Sequence, residues 1–104
     1  MKNLSTYHIF FSNLANALKI NIIVSLRESS KNVSELVKNL NIEQSNISHA
    51  LASLRRCKIV EATQKGKQRI YSLNKKTILP ILKILDKHAE NFCDGNCNCC
   101  GGRR

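Results

Sequence analysis

Acidic side chains are scarce in this sequence. Seven aspartates and glutamates stand against 17 lysines and arginines in 104 residues, which gives a formal net charge of +10 at pH 7. So large an excess of positive charge attracts polyanions over a Debye length or more, which is about 8 Å at physiological ionic strength. The scarcity of acidic residues therefore favours a nucleic acid as the partner.

Long apolar runs are also missing. The longest apolar stretch, Ile20 to Leu26, is interrupted by Asn21 and Ser25, whereas a membrane-spanning helix needs about 20 consecutive apolar residues. Attachment to a membrane surface needs an apolar face in addition to positive charge, and no signal peptide can be recognised. We therefore expect a cytoplasmic protein with no membrane partner.

Motifs for catalysis are absent as well. The sequence contains no glycine-rich phosphate loop, no paired carboxylates in a cleft-like context and no nucleophile accompanied by a suitable base. An enzyme is therefore not expected. A chain of this length with 42% hydrophobic residues predicts one small domain, and the modest core of such a domain often gains stability from dimerisation.

Apolar residues recur at helical spacing through the first half of the chain. The four stripes are Tyr7, Phe10, Phe11 and Leu14; Leu18, Ile22, Ile23 and Leu26; Val33, Leu36, Val37 and Leu40; and Ile47, Ala50, Leu51 and Leu54. We expect a break near residues 15–17, a cap for the third helix at Ser34 and an end of the fourth helix near Arg56. Residues 41–43 are about the length of turn that a helix-turn-helix uses.

A hairpin and a last helix complete the predicted fold. Ile59 to Gln64 and Gln68 to Leu73 are rich in strand-forming residues, and Gly66 between them can adopt the positive φ of a tight turn. Six apolar residues between Ile78 and Phe92 then fall on one helical face. The sequence predicts a mainly α winged helix-turn-helix domain over residues 1–92, with about five helices and a small β-hairpin, followed by a flexible cysteine-rich tail over residues 93–104.

The outer face of the fourth predicted helix carries residue types that contact DNA. Gln and Asn pair bidentately with adenine, Ser and His bond base edges or phosphates, and Lys and Arg bind the phosphate backbone. The predicted base-facing residues are Gln44, Ser45, Asn46, Ser48 and His49, and the predicted phosphate-facing residues are Arg55, Arg56, Lys65, Lys67 and Arg69.

Four of the five cysteines crowd into eight residues near the C-terminus: Cys93, Cys97, Cys99 and Cys100. This spacing does not suit disulfide bonds that stabilise a fold, and reduced thiols are expected of a protein in the cytosol. Clustered thiolates favour a thiophilic ion: Zn, Cd, Cu(I), or As(III) and Sb(III) with three-thiolate coordination. The same thiols could instead form a redox-active disulfide, or be incidental to function.

Four segments of the chain match one known pattern. They are Val33-Ser-Glu-Leu, Gln44-Ser-Asn-Ile-Ser-His-Ala-Leu, Lys58-Ile-Val and Arg69-Ile-Tyr-Ser-Leu, and together they resemble the ArsR/SmtB family of winged-helix repressors. The resemblance covers roughly residues 10–73. It implies that Ser45, Ser48 and His49 read DNA, that the first and last helices form a homodimer, and that metal or thiol chemistry releases the operator.

Three positions depart from the family pattern. Ala17 stands where a proline is usual, Lys58 stands where a glycine usually ends the recognition helix, and Glu43 is a poor helix cap. These departures concern local geometry and leave the class of fold unchanged.

The sensing positions that the resemblance implies are only partly present. The Cys-x-Cys site that some members carry on the third helix is missing, since no cysteine lies between Ser34 and Leu40. Asp86 and His88 match the first half of a site on the last helix, whose second half is not matched. Cys57, just after the recognition helix, is by default a small buried residue, yet it lies where metal capture could move that helix. We expect these three residues to be less favoured ligands than the tail cysteines.

Three functional hypotheses follow. The leading one is a homodimeric transcriptional repressor that binds a double-stranded DNA operator and releases it when a thiophilic metal or metalloid ion binds the tail thiolates. The second keeps the same DNA-binding domain and makes the cysteines a redox or reactive-sulfur switch. The third is a metal-sequestering protein that binds nucleic acid without sequence preference and with a steep salt dependence.

Overall fold

The computed structural model describes residues 4–92 and contains the predicted helix-turn-helix and hairpin. The chain divides at Asn74 into two compact units, each of which is described by itself. The first unit contains α1 (Leu4–Leu14), α2 (Ala17–Glu28), α3 (Val33–Leu40), α4 (Gln44–Arg56), β1 (Val60–Lys65) and β2 (Gln68–Leu73), and the second contains α5 (Ile78–Phe92). This order of elements is that of a winged helix-turn-helix, and it confirms the predicted fold class.

Asparagine side chains start both α2 and α3. Asn16 accepts a hydrogen bond from the backbone N of Lys19 at 3.0 Å. Asn32 accepts one from the backbone N of Glu35 at 2.8 Å, and the Glu35 carboxylate accepts one from the backbone N of Asn32 at 2.9 Å. This reciprocal pair is a capping box. The prediction that Ser34 caps α3 is therefore wrong, because the acceptor three residues before Glu35 is Asn32.

The turn between α3 and α4 has the predicted length. Asn41 adopts the left-handed conformation with φ 57°, and its backbone N donates to the carbonyl of Val37 at 2.8 Å, which closes the last turn of α3. Helix α4 then begins at Gln44, and Glu43 before it makes no capping hydrogen bond with its side chain. Glu43 is thus the poor cap that its residue type predicts.

The core of the first unit lies among α2, α3, α4 and the root of the hairpin. Its buried apolar side chains are Ile22, Ile23, Leu26, Leu36, Ile47, Ala50, Leu51, Leu54, Ile59, Val60, Tyr71 and Leu73. Each large aliphatic side chain among them contributes roughly 1.5–3 kcal/mol when it is removed from water. The four core residues that belong to α4 occupy one face of that helix, so its opposite face is turned outward.

The hairpin is tied to the loop between α2 and α3. Its antiparallel register pairs Val60 with Leu73 and Lys65 with Gln68, and Gly66 at the tip has φ 62°. The backbone N of Lys31 donates to the carbonyl of Tyr71 at 3.0 Å, and the N of Tyr71 donates back to Lys31 at 2.8 Å. The hairpin is therefore fixed, near the middle of β2, to the loop that precedes α3, whereas its residues 63–69 are exposed.

Lys58, which stands where the resemblance implies a glycine, adopts a left-handed backbone with φ 62°. Its backbone N donates to the carbonyl of Arg55 at 3.0 Å, and its carbonyl accepts from Nδ2 of Asn74 at 2.9 Å. A residue with a Cβ loses about 1–2 kcal/mol in this conformation. The chain thus tolerates strain at the exit of α4 because both backbone groups of Lys58 are held.

Replacing Lys58 with glycine should stabilise the fold by about 0.5–1 kcal/mol, since glycine relieves the strain but makes the unfolded chain more flexible. Urea unfolding at a fixed protein concentration measures this change as a higher midpoint. Lys67→Gly is a matched control, because Lys67 has no positive φ to relieve and should lower the midpoint. A decrease for Lys58→Gly equal to that of Lys67→Gly would contradict the strain argument.

Helix α1 leaves most of its apolar side chains exposed in the single chain. Its one buried residue is Asn13, whereas Leu4, Tyr7, Ile9 and Phe11 are 40–83% exposed. On α5, Ile84 and Leu85 are also exposed. No single helix of the described residues is long and apolar enough to cross a membrane, and α1 and α2 meet the length and composition requirement only as a pair bent by 75°.

Candidate nucleic-acid interface

Helix α4 separates its apolar residues from the residues predicted to contact bases. Ile47, Ala50, Leu51 and Leu54 are buried against the first unit's core. All five predicted base-facing residues are exposed, namely Gln44, Ser45, Asn46, Ser48 and His49. The structure therefore brings these polar side chains together on the first two turns of α4, in the part of a recognition helix that enters the major groove.

A cleft of about 260 Å³ adjoins this polar face. It lies between the start of α2 and the first half of α4, and its lining residues are Asn16, Leu18, Lys19, Asn46, His49 and Ala50. Asn46 and His49 thus border a groove that also contains the amide of Asn16, the N-cap of α2, and the ammonium of Lys19. These groups are hydrogen-bond donors of the kind that bind phosphate oxygens.

The basic residues predicted to bind phosphates are also exposed. Arg55 and Arg56 occupy the last turn of α4, and Lys65, Lys67 and Arg69 lie on the hairpin. Arg69 and Gln68 border a second cleft, of about 220 Å³, together with the first residues of α3. The wing therefore places positive charge beside the helix-turn-helix, where a DNA backbone that enters the site would meet it.

Comparison with known proteins agrees with this geometry. A family model described as "Bacterial regulatory protein, arsR family" matches residues 11–62, half of the chain. An HTH-type transcriptional regulator of Mycobacterium tuberculosis H37Rv, Rv0081, is 35% identical over 79 residues, which span 75% of this chain and 69% of the relative. The chain belongs to the ArsR family of bacterial regulatory proteins. This ArsR-family chain is a transcriptional regulator and not an enzyme.

Solved structures share the fold of this ArsR-family regulator. The crystal structure of Rv0081 matches with a TM-score of 0.75 at 32% identity, over 86% of this chain and 92% of that one. HlyU of Vibrio cholerae N16961 matches with a TM-score of 0.72 at 25% identity, over 89% of this chain and 98% of HlyU. A homodimeric winged helix-turn-helix DNA-binding domain of Mycobacterium bovis, Mb0332, matches with a TM-score of 0.76 at 18% identity, over 84% of this chain and 81% of that domain. At that identity the likeness to Mb0332 concerns the fold alone.

The predicted metal ligands of this ArsR-family regulator lie partly outside the described residues. The predicted tail over residues 93–104 lies beyond the described residues, and so do its four cysteines, Cys93, Cys97, Cys99 and Cys100. Within residues 4–92 no three His, Cys, Asp or Glu side chains come together as a metal site. The less favoured candidates are an exposed Asp86 and an exposed His88 on α5, and a half-buried Cys57 after α4.

Cys57 is half-buried, whereas the default expectation is a small buried residue, and it has polar neighbours. Its Sγ accepts a hydrogen bond from Nδ2 of Asn13 at 2.9 Å, and Oδ1 of Asn13 accepts one from Oγ of Ser53 at 2.8 Å. Sequence reasoning missed Asn13 and Ser53. No periodic signal marks them, because both are polar residues that follow neither the apolar stripe nor the predicted base-facing set. The one available signal is that an asparagine sits among apolar residues near the end of α1.

Proposed function

We propose that this ArsR-family regulator is a cytoplasmic repressor that binds an operator in double-stranded DNA through α4 and the wing. The observation that carries the proposal is the division of α4 into a buried apolar face and an exposed Gln, Ser, Asn and His face. Bases are read by such side chains in the major groove. The net charge of +10 supports the sequence-independent part of the binding.

We also propose that the regulator acts as a homodimer. Exposed apolar side chains on α1, among them a Phe11 that is 59% exposed, offer a surface that a second copy would cover. Ile84 and Leu85 on α5 offer a second such surface. The related fold of Mb0332 is described as homodimeric. A dimer predicts two operator half-sites about one helical turn, roughly 34 Å, apart.

The proposed effector is a thiophilic metal or metalloid ion bound by Cys93, Cys97, Cys99 and Cys100. The donor set supports it, because four thiols within eight residues suit As(III), Sb(III), Cd, Zn or Cu(I) better than hard cations. The positive charge of the chain favours the thiolate form that binds such ions. Binding of the ion is proposed to weaken operator affinity, and allosteric coupling of this kind typically changes affinity by about 5–150-fold.

The test is a titration of the reduced protein on DNA from its own promoter, followed by fluorescence anisotropy, with As(III), Cd, Zn and Cu(I) added in turn. We expect one of these ions to release the DNA. We expect no release from the variant Cys97→Ser/Cys99→Ser/Cys100→Ser, because too few thiolates remain to hold the ion. Asn96→Ser/Asn98→Ser is the matched control, since it alters the same segment and keeps every thiol.

Other outcomes separate the alternatives. If no ion releases DNA while the thiols are intact, but peroxide or polysulfide does and the mass shows an internal bridge, the cysteines form a redox switch. If the protein binds random DNA as tightly as promoter DNA, with a steep salt slope, the repressor proposal fails in favour of ion sequestration. An unchanged effector response in Cys57→Ser would confine sensing to the tail.

A further inference from the structure

Asn13 is an unusual anchor for a helix. It is 4% exposed and is the one buried residue of α1, whereas buried helix positions are usually apolar. Its side-chain amide makes hydrogen bonds to three other side chains, which come from α2, α4 and the C-cap of α4. The C-terminal end of α1 is thus bonded through a polar group to α2, α4 and the C-cap of α4.

The Asn13 cluster consists of Asn13, Lys19, Ser53 and Cys57, and the ammonium of Lys19 sets the direction of its hydrogen bonds because an ammonium group can only donate. Oδ1 of Asn13 accepts from Nζ of Lys19 at 2.9 Å and from Oγ of Ser53 at 2.8 Å, and Nδ2 donates to Sγ of Cys57 at 2.9 Å. Nζ of Lys19 also donates to Oγ of Ser53 at 3.1 Å, which closes a triangle. Turning the amide around would bring its NH₂ group against the ammonium of Lys19, which has no acceptor to offer. One orientation is therefore favoured.

The cluster holds α4 in a way that the apolar core cannot. Apolar contacts are non-directional, and a core of the right size and pattern allows a helix small shifts along and around its axis. Ser53 in the last turn of α4 and Cys57 at its C-cap are four residues apart, so their side chains lie on the same side of this end of the helix. Two directional hydrogen bonds to that side restrain the rotation and the axial position of the helix in addition to its apolar contacts. Removing a partner also leaves buried polar groups unsatisfied.

We propose that Asn13 is a positioning residue for DNA recognition, which aligns the base-facing turns of α4 by holding Ser53 and Cys57. This inference rests on the proposed function, since it needs α4 to read an operator. It extends that function by making α1 a determinant of operator affinity. Because α1 also carries the exposed apolar side chains proposed to form the dimer, the Asn13 cluster joins the dimer helix to the recognition helix.

The test uses two pairs of variants that differ in one hydrogen-bonding group. Cys57→Ser keeps an acceptor for Asn13 and Cys57→Ala removes it, while Ser53→Thr keeps the hydroxyl and Ser53→Ala removes it. Affinities for operator and for random DNA of the same length are measured at one salt concentration. We expect Cys57→Ala and Ser53→Ala to lose about tenfold in operator affinity, since each removes a part-buried hydrogen bond in both copies of a dimer. Cys57→Ser and Ser53→Thr should stay within about threefold of the unaltered protein.

Random-DNA binding distinguishes positioning from simple destabilisation. A positioning role lowers operator affinity and leaves random-DNA affinity unchanged, whereas partial unfolding lowers the active fraction for both DNAs alike. Asn13→Ala should act like Ser53→Ala, and the double variant should lose less than the product of the two single losses. Ser12→Ala, at an exposed neighbouring position on α1, is the control.

Three results would overturn the inference. The first is that the two variants of each pair bind operator with equal affinity. The second is that the affinities for operator and for random DNA decrease by the same factor. The third is an unaltered protein that fails to prefer operator, which would also remove the proposed function. If Asn13→Ala does not fold, the pairs at Ser53 and Cys57 decide, because both positions are half-buried and the replacements are small.

Discussion

The double variant Ser48→Ala/His49→Ala is expected to lose operator affinity by on the order of 100-fold or more, with little change in its affinity for random DNA. Each specific contact between a side chain and a base contributes about 1–3 kcal/mol of discrimination, and a dimer carries both substitutions in each half-site. Ser48 and His49 are exposed on the outer face of α4, so the change should leave its buried face and the fold intact. Anisotropy titrations on operator and random duplexes at one salt concentration measure the effect.

Ser30→Ala is the control for this experiment, because Ser30 is exposed in the loop between α2 and α3 and is absent from the predicted base-facing set. It should bind operator like the unaltered protein. If Ser48→Ala/His49→Ala also keeps its preference for operator over random DNA, the base-facing assignment of α4 is wrong. If it loses both affinities in parallel, the two residues contact phosphates instead of bases.

The variant Lys65→Ala/Lys67→Ala is expected to lower the salt dependence of DNA binding. Each phosphate contact contributes about 0.9 to the slope of log affinity against log salt concentration. The slope should therefore decrease by about 1.8 per chain, and twice that in a dimer. Binding should weaken to a similar extent on every DNA sequence, because contacts to phosphates carry no base information.

The matched control removes the same charge from a different helix. Lys83→Ala/Lys87→Ala neutralises two exposed lysines on α5, outside the helix-turn-helix and the hairpin. If the wing contacts DNA directly, the control keeps the original slope even though its net charge equals that of the wing variant. Equal slopes in the two variants would mean that only the total charge of the protein matters, and that the wing has no phosphate contact.

The sequence predicts the helix-turn-helix and the wing well because both depend on local patterns. Apolar residues at helical spacing determine which face of α4 is buried, and a glycine between two strand-forming segments marks the turn at Gly66. The break before Ala17 and the short turn after Leu40 follow from the same periodicity. Residues within one turn of a helix or one hairpin supply this information, so no long-range contact has to be known.

The Asn13 cluster could not be predicted in this way. Asn13 meets Ser53 and Cys57 across 40 and 44 residues of sequence, and the contact depends on how three helices pack. The polar surroundings of Cys57 could not be predicted for the same reason, since pattern alone suggests a small buried residue.

The cap of α3 is a local feature that the sequence analysis places at the wrong residue. It lies at Asn32 and not at Ser34, because Glu35 completes a reciprocal pair with Asn32.

The candidate site likewise has one part that local patterns predict and one part that they do not. Residue types on α4 and the hairpin predict a DNA-binding surface, since outward positions follow directly from the buried stripe. The choice among As(III), Cd, Zn and Cu(I) depends instead on how many thiolates coordinate and in what geometry. Neither quantity is encoded in a periodic pattern, and the tail cysteines lie beyond the described residues.

The two backbone hydrogen bonds between Lys31 and Tyr71 have a consequence for how this fold can vary. They fasten the hairpin at Tyr71, so residues added or removed at the Gly66 tip would change the length of the wing and leave these two hydrogen bonds in place. Loop tips accept such insertions far more readily than anchored backbone. The length of the wing, and with it the size of the binding site, can therefore change in evolution while the attachment of the wing and the recognition helix stay the same.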